Sequence, residues 1–396
     1  MREEITSLEL HLDCKSESVV RCRKLRDVGA GMYPCYYTEK DDEILVSTSV
    51  TSLIQNLGSF EKNSDFDPPE YLKEKRLLDR TKSKLPDTIQ SKIGFLGPYL
   101  RDLGLLSSSR WYENQETVDT RIDRLQPFET ITPHSINQDF NTTYSLNDPD
   151  EFVELSAQYI ESFVNDIEEM YPDHQHVIRM GGKDSQLISL VSKETENWHV
   201  FSAEPNYPIV RDFLGANNIE VNNIFRHDNV NKESEEEFSR KVIASDLRAD
   251  PRHLRWYPKL EEIVDRFDGK CIFWCGTEGD TINSYYHVFH EVDDYFGLQF
   301  SRAANWQAIT HQVTKNYTGA VALSPYHSEK IWENVYRHYN PEMMSPGMDL
   351  REDIGRLLLG SSAKWPERNP GPDPYEYSDM KGCHDIYMDY IEMLVE

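Results

Sequence analysis

Apolar residues recur at threes and fours through Phe152, Leu155, Tyr159, Phe163, Ile167 and Met170, which predicts an amphipathic helix of about 20 residues. Asp148 caps it, Pro149 suits its first position, and Glu151 completes a start of the capping-box kind. Beyond it the period switches back and forth. His176 to Met180, Trp198 to Ala203, Glu220 to Phe225 and Lys270 to Cys275 read as strands. Asp184 to Glu194, Ile209 to Ala216, Ser234 to Leu247 and Leu260 to Phe267 read as helices. Strand and helix alternating at this length predict an α/β fold, a doubly wound parallel sheet. Ligands of such sheets sit beyond the carboxyl ends of the strands.

Ahead of residue 147 the pattern differs. Tyr36-Tyr37-Thr38 and Ile44 to Ser49 flank a polar turn and predict a hairpin. Val50, Leu53, Ile54 and Leu57 share one face of a short helix. Short strands follow between Trp111 and Ile136, broken by Pro127 and Pro133. The charged, Pro-interrupted stretch 61–92 is expected either as helices over that sheet or as an excursion from it. The reading is a smaller, mainly antiparallel α+β domain over 1–146 and a second domain over 147–396. Near the end, Asp349, Arg351, Glu352 and Asp353 read as a surface helix face. Pro366 to Pro374 reads as a loop, and Asp385 to Val395 as a terminal helix.

Two polar loops fall at strand ends. The first is Met180-Gly181-Gly182-Lys183-Asp184-Ser185; the second is Gly276-Thr277-Glu278-Gly279-Asp280. Glycines let a backbone approach a phosphate closely, and a helix start offers amides without intrahelical acceptors. Gly181, Gly182 and the amides through Ser185 can therefore cradle a pyrophosphate, with the Ser185 hydroxyl as a further donor. Asp184 would repel that anion unless a Mg²⁺ lay between them, and Asp184 with Asp280 can hold one. Such a site suits adenylation of a carboxylate by ATP. It is not a Walker A loop, because no G-x-x-x-x-G-K-[ST] occurs.

Composition narrows the partners. A net charge of −27 argues against a wide nucleic-acid surface. No apolar run reaches the length of a membrane span, and Met-Arg-Glu-Glu lacks the apolar core of a signal peptide. The six cysteines, Cys14, Cys22, Cys35, Cys271, Cys275 and Cys383, form no CxxC pair, so buried thiols in a cytoplasmic protein are expected. His287, His290, Glu291, Asp293 and Asp294 read as a solvated helix end rather than metal ligands, and Tyr285, Tyr286 and Trp306 as core rather than an acceptor pocket.

The first loop resembles the S-G-G-x-D-S loop of the PP-loop ATP pyrophosphatases, and the layout is similar to that of the asparagine-synthetase and β-lactam-synthetase family. Val200-Phe201-Ser202 resembles the family's adenine-holding strand. Cys275 to Asp280 resembles its S-G-E-G-x-D loop, and Ser324-Pro325-Tyr326-His327 its P-[FY]-L-D turn. Tyr36-Tyr37 to Leu53 and Arg124-Leu125-Gln126-Pro127 look like remnants of its Ntn-hydrolase-like glutaminase domain. The resemblance implies an adenine-nucleotide α-hydrolase-like fold and an ATP- and Mg²⁺-dependent, AMP-forming ligase. Its partners would be a small-molecule, glycan or peptide carboxylate and an amine donor, with homodimerisation left open. It also implies nucleotide binding by Met180 to Ser185, Val200 to Ser202 and Gly276, metal binding by Asp184 and Asp280, and catalytic roles for Lys183 and Glu278. This sequence departs from the family at four points. Met1-Arg2-Glu3 offers no N-terminal cysteine, so no glutaminase activity is expected. Met180 replaces the first loop serine, and Thr277 stands where the family has glutamate, with Glu278 next to it. The Leu350-Arg351 pair lacks the preceding family lysine, for which Lys330 and Lys364 are candidates. The alternatives are a tRNA-modifying or sulfur-transferring PP-loop enzyme and a non-catalytic nucleotide-binding relic.

Overall fold

Two sheets organise the chain. The computed structural model describes residues 2–13, 15, 18–29, 31, 33–64, 66, 117–138, 148–191, 195–228, 234–248, 254–277, 279, 309–338, 350–365 and 380–396. Most of 61–92, Trp111 to Glu116, the stretch from Tyr285 to Trp306, Asp349 and residues 366–374 lie outside them, with the expectations placed there. So do Glu278 and Asp280.

The first sheet is largely antiparallel. Its strands are β1 (Arg2–Thr6), β2 (Val20–Arg26), β3 (Tyr36–Lys40), β4 (Glu43–Ser47), β5 (Asp123–Arg124), β6 (Glu129–Thr132) and β7 (Ser135–Gln138). They run in the order β5-β3-β4-β2-β6-β7, with β1 added in parallel to β2. The hairpin β3–β4 pairs Tyr36 with Ser47 and Lys40 with Glu43. Its turn is Asp41-Asp42, at φ 53° and 60°, a left-handed pair that short Asp side chains tolerate and that matches the strand twist. Helix α1 (Ser7–Asp13) follows β1 directly. Helix α2 (Val50–Leu57) is capped by the Ser49 side chain and stopped by Gly58 at φ 68°.

The second sheet is parallel throughout. Helix α3 (Pro149–Met170), with Asp148 capping it as read, leads into β8 (Gln175–Arg179) and α4 (Lys183–Leu190). Then come β9 (Trp198–Ala203), α5 (Tyr207–Ala216), β10 (Asn223–His227), α6 (Glu235–Ala244), α7 (Tyr257–Arg266) and β11 (Cys271–Cys275). After α8 (Ile309–Thr318) the sheet ends with β12 (Val321–Leu323). A short 3-10 turn, Pro325–His327, then helices α9 (Glu329–His338), α10 (Arg351–Leu359) and α11 (Met380–Val395) complete the described chain.

The order is β10-β9-β8-β11-β12. From β8 the chain therefore winds outward through β9 and β10, then returns to add β11 and β12 on the other side. β8 and β11 are neighbours whose connections leave in opposite directions, and their carboxyl ends are where such sheets place ligands. Alternate residues face two separate cores. His176, Ile178, Trp198 and Trp274 lie toward α3, with His176 stacked on Trp198 at 4.7 Å and bonded by the Trp274 indole at 3.1 Å. Val177, Phe201 and Phe273 lie toward α7 and α8. No helix among the described residues is long and apolar enough to cross a membrane. The described cysteines are buried and none is in a disulfide.

Helix α8 joins the two sheets through polar side chains. Its His311 Nδ1 and the Nε2 of His11 on α1 both donate to the Ala322 carbonyl, at 2.8 and 2.9 Å. Buried Lys315 donates to the His11 carbonyl at 2.6 Å. The Tyr36 hydroxyl donates to Gln312 Oε1 at 2.8 Å; Gln312 Nε2 in turn donates to Asp246, which also accepts from the Tyr387 hydroxyl of α11.

Candidate functional site

The two glycine loops meet beyond the carboxyl ends of β8 and β11. β8 stops at Arg179, and the Met180 amide makes one more rung by donating to the Phe201 carbonyl at 2.9 Å. Gly182 is the extended cap residue of α4, so the chain turns from strand to helix within Gly181-Gly182. The turn is stitched by Ser185. Its hydroxyl accepts from the Gly181 amide at 3.0 Å and donates to the Gly182 carbonyl at 2.8 Å. The proton expected to be offered to a ligand is thus used inside the loop.

The second loop presses on the first, Gly276 against its backbone and Gly279 against the Asp184 side chain. A Cβ on Gly276 would lie 2.3 Å from the Ser185 nitrogen, and one on Gly279 would lie 2.4 Å from Asp184 Cβ and 2.6 Å from its Oδ1. No side chain fits at either position, which is a physical reason for glycine there. The separation of these loops in sequence vanishes because β8 and β11 are adjacent.

One downstream turn braces both loops. The Ser324 hydroxyl donates to the Thr277 carbonyl at 3.0 Å, and the Tyr326 hydroxyl donates to the Asp184 carbonyl at 2.8 Å. Next to them lies a buried cluster formed by His11, Tyr33, His311 and His327, with the His311 and His327 ring centroids 4.6 Å apart. Burial holds all three imidazoles neutral, His311 down to about 4 and the other two well below their ordinary value. Lys315 beside His11 and Arg179 near His311 push the same way.

Asp184 is 8% exposed, and both its oxygens face Nη1 of Arg351, at 3.1 and 3.2 Å. Arg351 is 6% exposed, which corrects its reading as part of a surface helix face. The neighbouring residues pair with opposite polarity: Lys183 Nζ lies 3.8 Å from Glu352, and 5.8 Å over the Trp365 ring. Helix α10 is thus fastened to the start of α4. Gly355 makes the approach close, since a Cβ there would meet Trp365 at 2.6 Å and Leu190 at 3.1 Å.

The adenine strand expected from the sequence is β9. Val200 and Phe201 are buried within it, and the buried Ser202 hydroxyl has no hydrogen-bond partner. Asn206, which the sequence did not single out, places its amide nitrogen 3.4 Å from where a Gly181 Cβ would be. Of the lysine candidates, Lys330 has its ammonium 6.0 Å over the Tyr159 ring on α3. Lys364 is anchored by its main chain, which exchanges bonds of 2.6 and 3.0 Å with the Asn217 side chain. Among the described residues no group of three His, Cys, Asp or Glu side chains is placed to hold a metal ion. No protein-family model matches the chain, and no curated protein sequence does.

Proposed function

We propose that the protein is an ATP-dependent, AMP-forming carbon–nitrogen ligase of the asparagine-synthetase type, on a doubly wound PP-loop sheet, with an N-terminal domain lacking glutaminase activity. The observation that carries the reading is the pair of glycine loops packed against each other beyond the carboxyl ends of β8 and β11, at the switch in strand order. In the reaction a carboxylate oxygen attacks the α-phosphorus of ATP and pyrophosphate leaves. Ammonia or an amine then attacks the acyl carbonyl and AMP leaves.

The first-turn amides of α4 and the flanking glycines suit the pyrophosphate. Lys183 adds positive charge beside it, and Val200 to Ser202 offer an edge for the adenine. Glu278 is the candidate for the family's loop glutamate. The Mg²⁺ expected on Asp184 and Asp280 fits poorly at its described half, because the Asp184 carboxylate is already engaged by Arg351. No step is therefore written through a metal.

A pyrophosphate-release assay over a panel of carboxylates, with ammonia and with amines, tests the proposal. The expected result is AMP and amide formed in equal amounts. Thermal stabilisation by ATP without turnover would instead favour the nucleotide-binding relic, a reading that Met180 and the internally used Ser185 hydroxyl support. A shift of bulk tRNA at low salt would favour the tRNA-modifying reading, against the net charge of −27.

A further inference from the structure

We propose that Arg351 is the resident cation of the candidate site and excludes a divalent metal ion from Asp184. The inference rests on the reading of Asp184 as a site residue, and it adds a role for the C-terminal helix that carries the arginine.

Three observations converge. The guanidinium Nη1 sits between the two oxygens of Asp184, at 3.1 and 3.2 Å, which is where a metal would bind. Both side chains are buried, so the pair is shielded from water and salt. Gly279 crowds the same carboxylate, since a Cβ there would fall 2.6 Å from Oδ1. A Mg²⁺ needs a near-octahedral shell at about 2.0–2.1 Å and keeps several waters, and a guanidinium shared by both oxygens takes that room.

The charge of Arg351 is also permanent. An arginine does not lose its proton in proteins, so this charge cannot be titrated away as a lysine's can. It is also the first residue of α10, the end of a helix least suited to a cation. Helix electrostatics thus do not account for its placement, and the partner carboxylate does. The crossed pair Lys183–Glu352 and the close packing of Gly355 on Trp365 and Leu190 hold α10 in register, so that Arg351 is delivered to Asp184.

A purely structural ion pair would give the same contacts, but it makes a different prediction about metal. Mn²⁺ binding is measured on the full chain without nucleotide, by the loss of the free-ion paramagnetic resonance signal, for the wild type, D184N, R351Q and the R351Q/D184N double variant. The acidic surface supplies a weak background common to all four. Wild type and D184N are expected to bind Mn²⁺ alike. R351Q is expected to gain one site at least tenfold tighter than the background, and the double variant to lose it. A wild-type Mn²⁺ site that disappears in D184N would overturn the proposal, as would a folded R351Q that gains no site. If R351Q does not fold, the comparison of wild type with D184N decides the matter alone. Inorganic pyrophosphate binding in EDTA, measured in parallel, reports separately on the anion loop. Its absence would count against the ligase reading, while the Mn²⁺ result would still decide the role of Arg351.

Discussion

The Tyr326 hydroxyl donates to the main-chain carbonyl of Asp184 over 2.8 Å, across 142 residues of sequence. The bond fixes the middle of the glycine loop from a turn that also holds Thr277. Tyr326→Phe keeps the buried ring and removes the donor. It should cost about 1 kcal/mol, read as a lower denaturant midpoint, and weaken pyrophosphate binding. An unchanged midpoint would show that the bond contributes nothing.

The glycines of the two loops should not be equivalent. Gly276→Ala and Gly279→Ala each drive a methyl into the other loop, at 2.3 and 2.4 Å, and should destabilise by about 1–3 kcal/mol while abolishing nucleotide binding. Gly181→Ala meets only Asn206, at 3.4 Å. It should melt like the wild type and lose affinity for pyrophosphate, because the methyl occupies the face a ligand needs. Melting curves with and without ligand separate the two classes.

Acid should weaken the junction between the sheets. His11, His311 and His327 are neutral in the folded protein, with affinities for protons below the ordinary value near 6.5. Their contribution is complete above pH about 6.5 and is lost as pH falls toward 4. For His311, lowered to about 4, this amounts to about 3 kcal/mol at the acid end. Asp246 acts in the opposite sense. Burial raises it to about 6, so its contribution is present in acid and is lost as pH rises from about 4 through 6. With three rings against the raised carboxyls of Asp246 and Asp27, the urea midpoint should fall between pH 7 and pH 5. His311→Asn retains a donor for Ala322 and should flatten that fall; an unaltered slope would remove His311 from the account.

Tyr387→Phe withdraws one of the hydrogen bonds that keep Asp246 from rising further. It should cost about 1–2 kcal/mol at pH 8 and less at pH 5, where the protonated carboxyl needs no donor. Denaturation at the two pH values checks the difference.

Much of the parallel sheet was legible because its strands are apolar runs ended by glycine or polar residues, as at Val177 to Gly181 and Ile272 to Gly276. Boundaries were less so. The helix expected from Asp184 to Glu194 stops at Leu190, where Val191 is already extended. The helix expected from Leu260 begins at Tyr257, with Pro258 in its first turn and no capping side chain to announce it. β1 and β2 went unread, since Arg2–Thr6 and Val20–Arg26 are charged and mostly half-exposed. Arg351 was legible only as half of the Leu350-Arg351 pair, not as the partner of Asp184. Its local sequence is that of an exposed helix start, and its burial comes from a carboxylate 167 residues away.

The bonds from Tyr36 to Gln312, and from Gln312 and Tyr387 to Asp246, also bear on how the chain reaches its final state. They span sequence separations of 276, 66 and 141 residues, so none can close early during synthesis. In the unfolded chain Asp246 is hydrated and ionised at neutral pH. Burial in the folded protein raises it to about 6 although the Tyr387 hydroxyl pulls it back, so closing this network takes up a proton as pH falls toward that value. Folding around Asp246 is thus coupled to acidity, and mildly acidic medium favours this burial while opposing the histidine junction beside it.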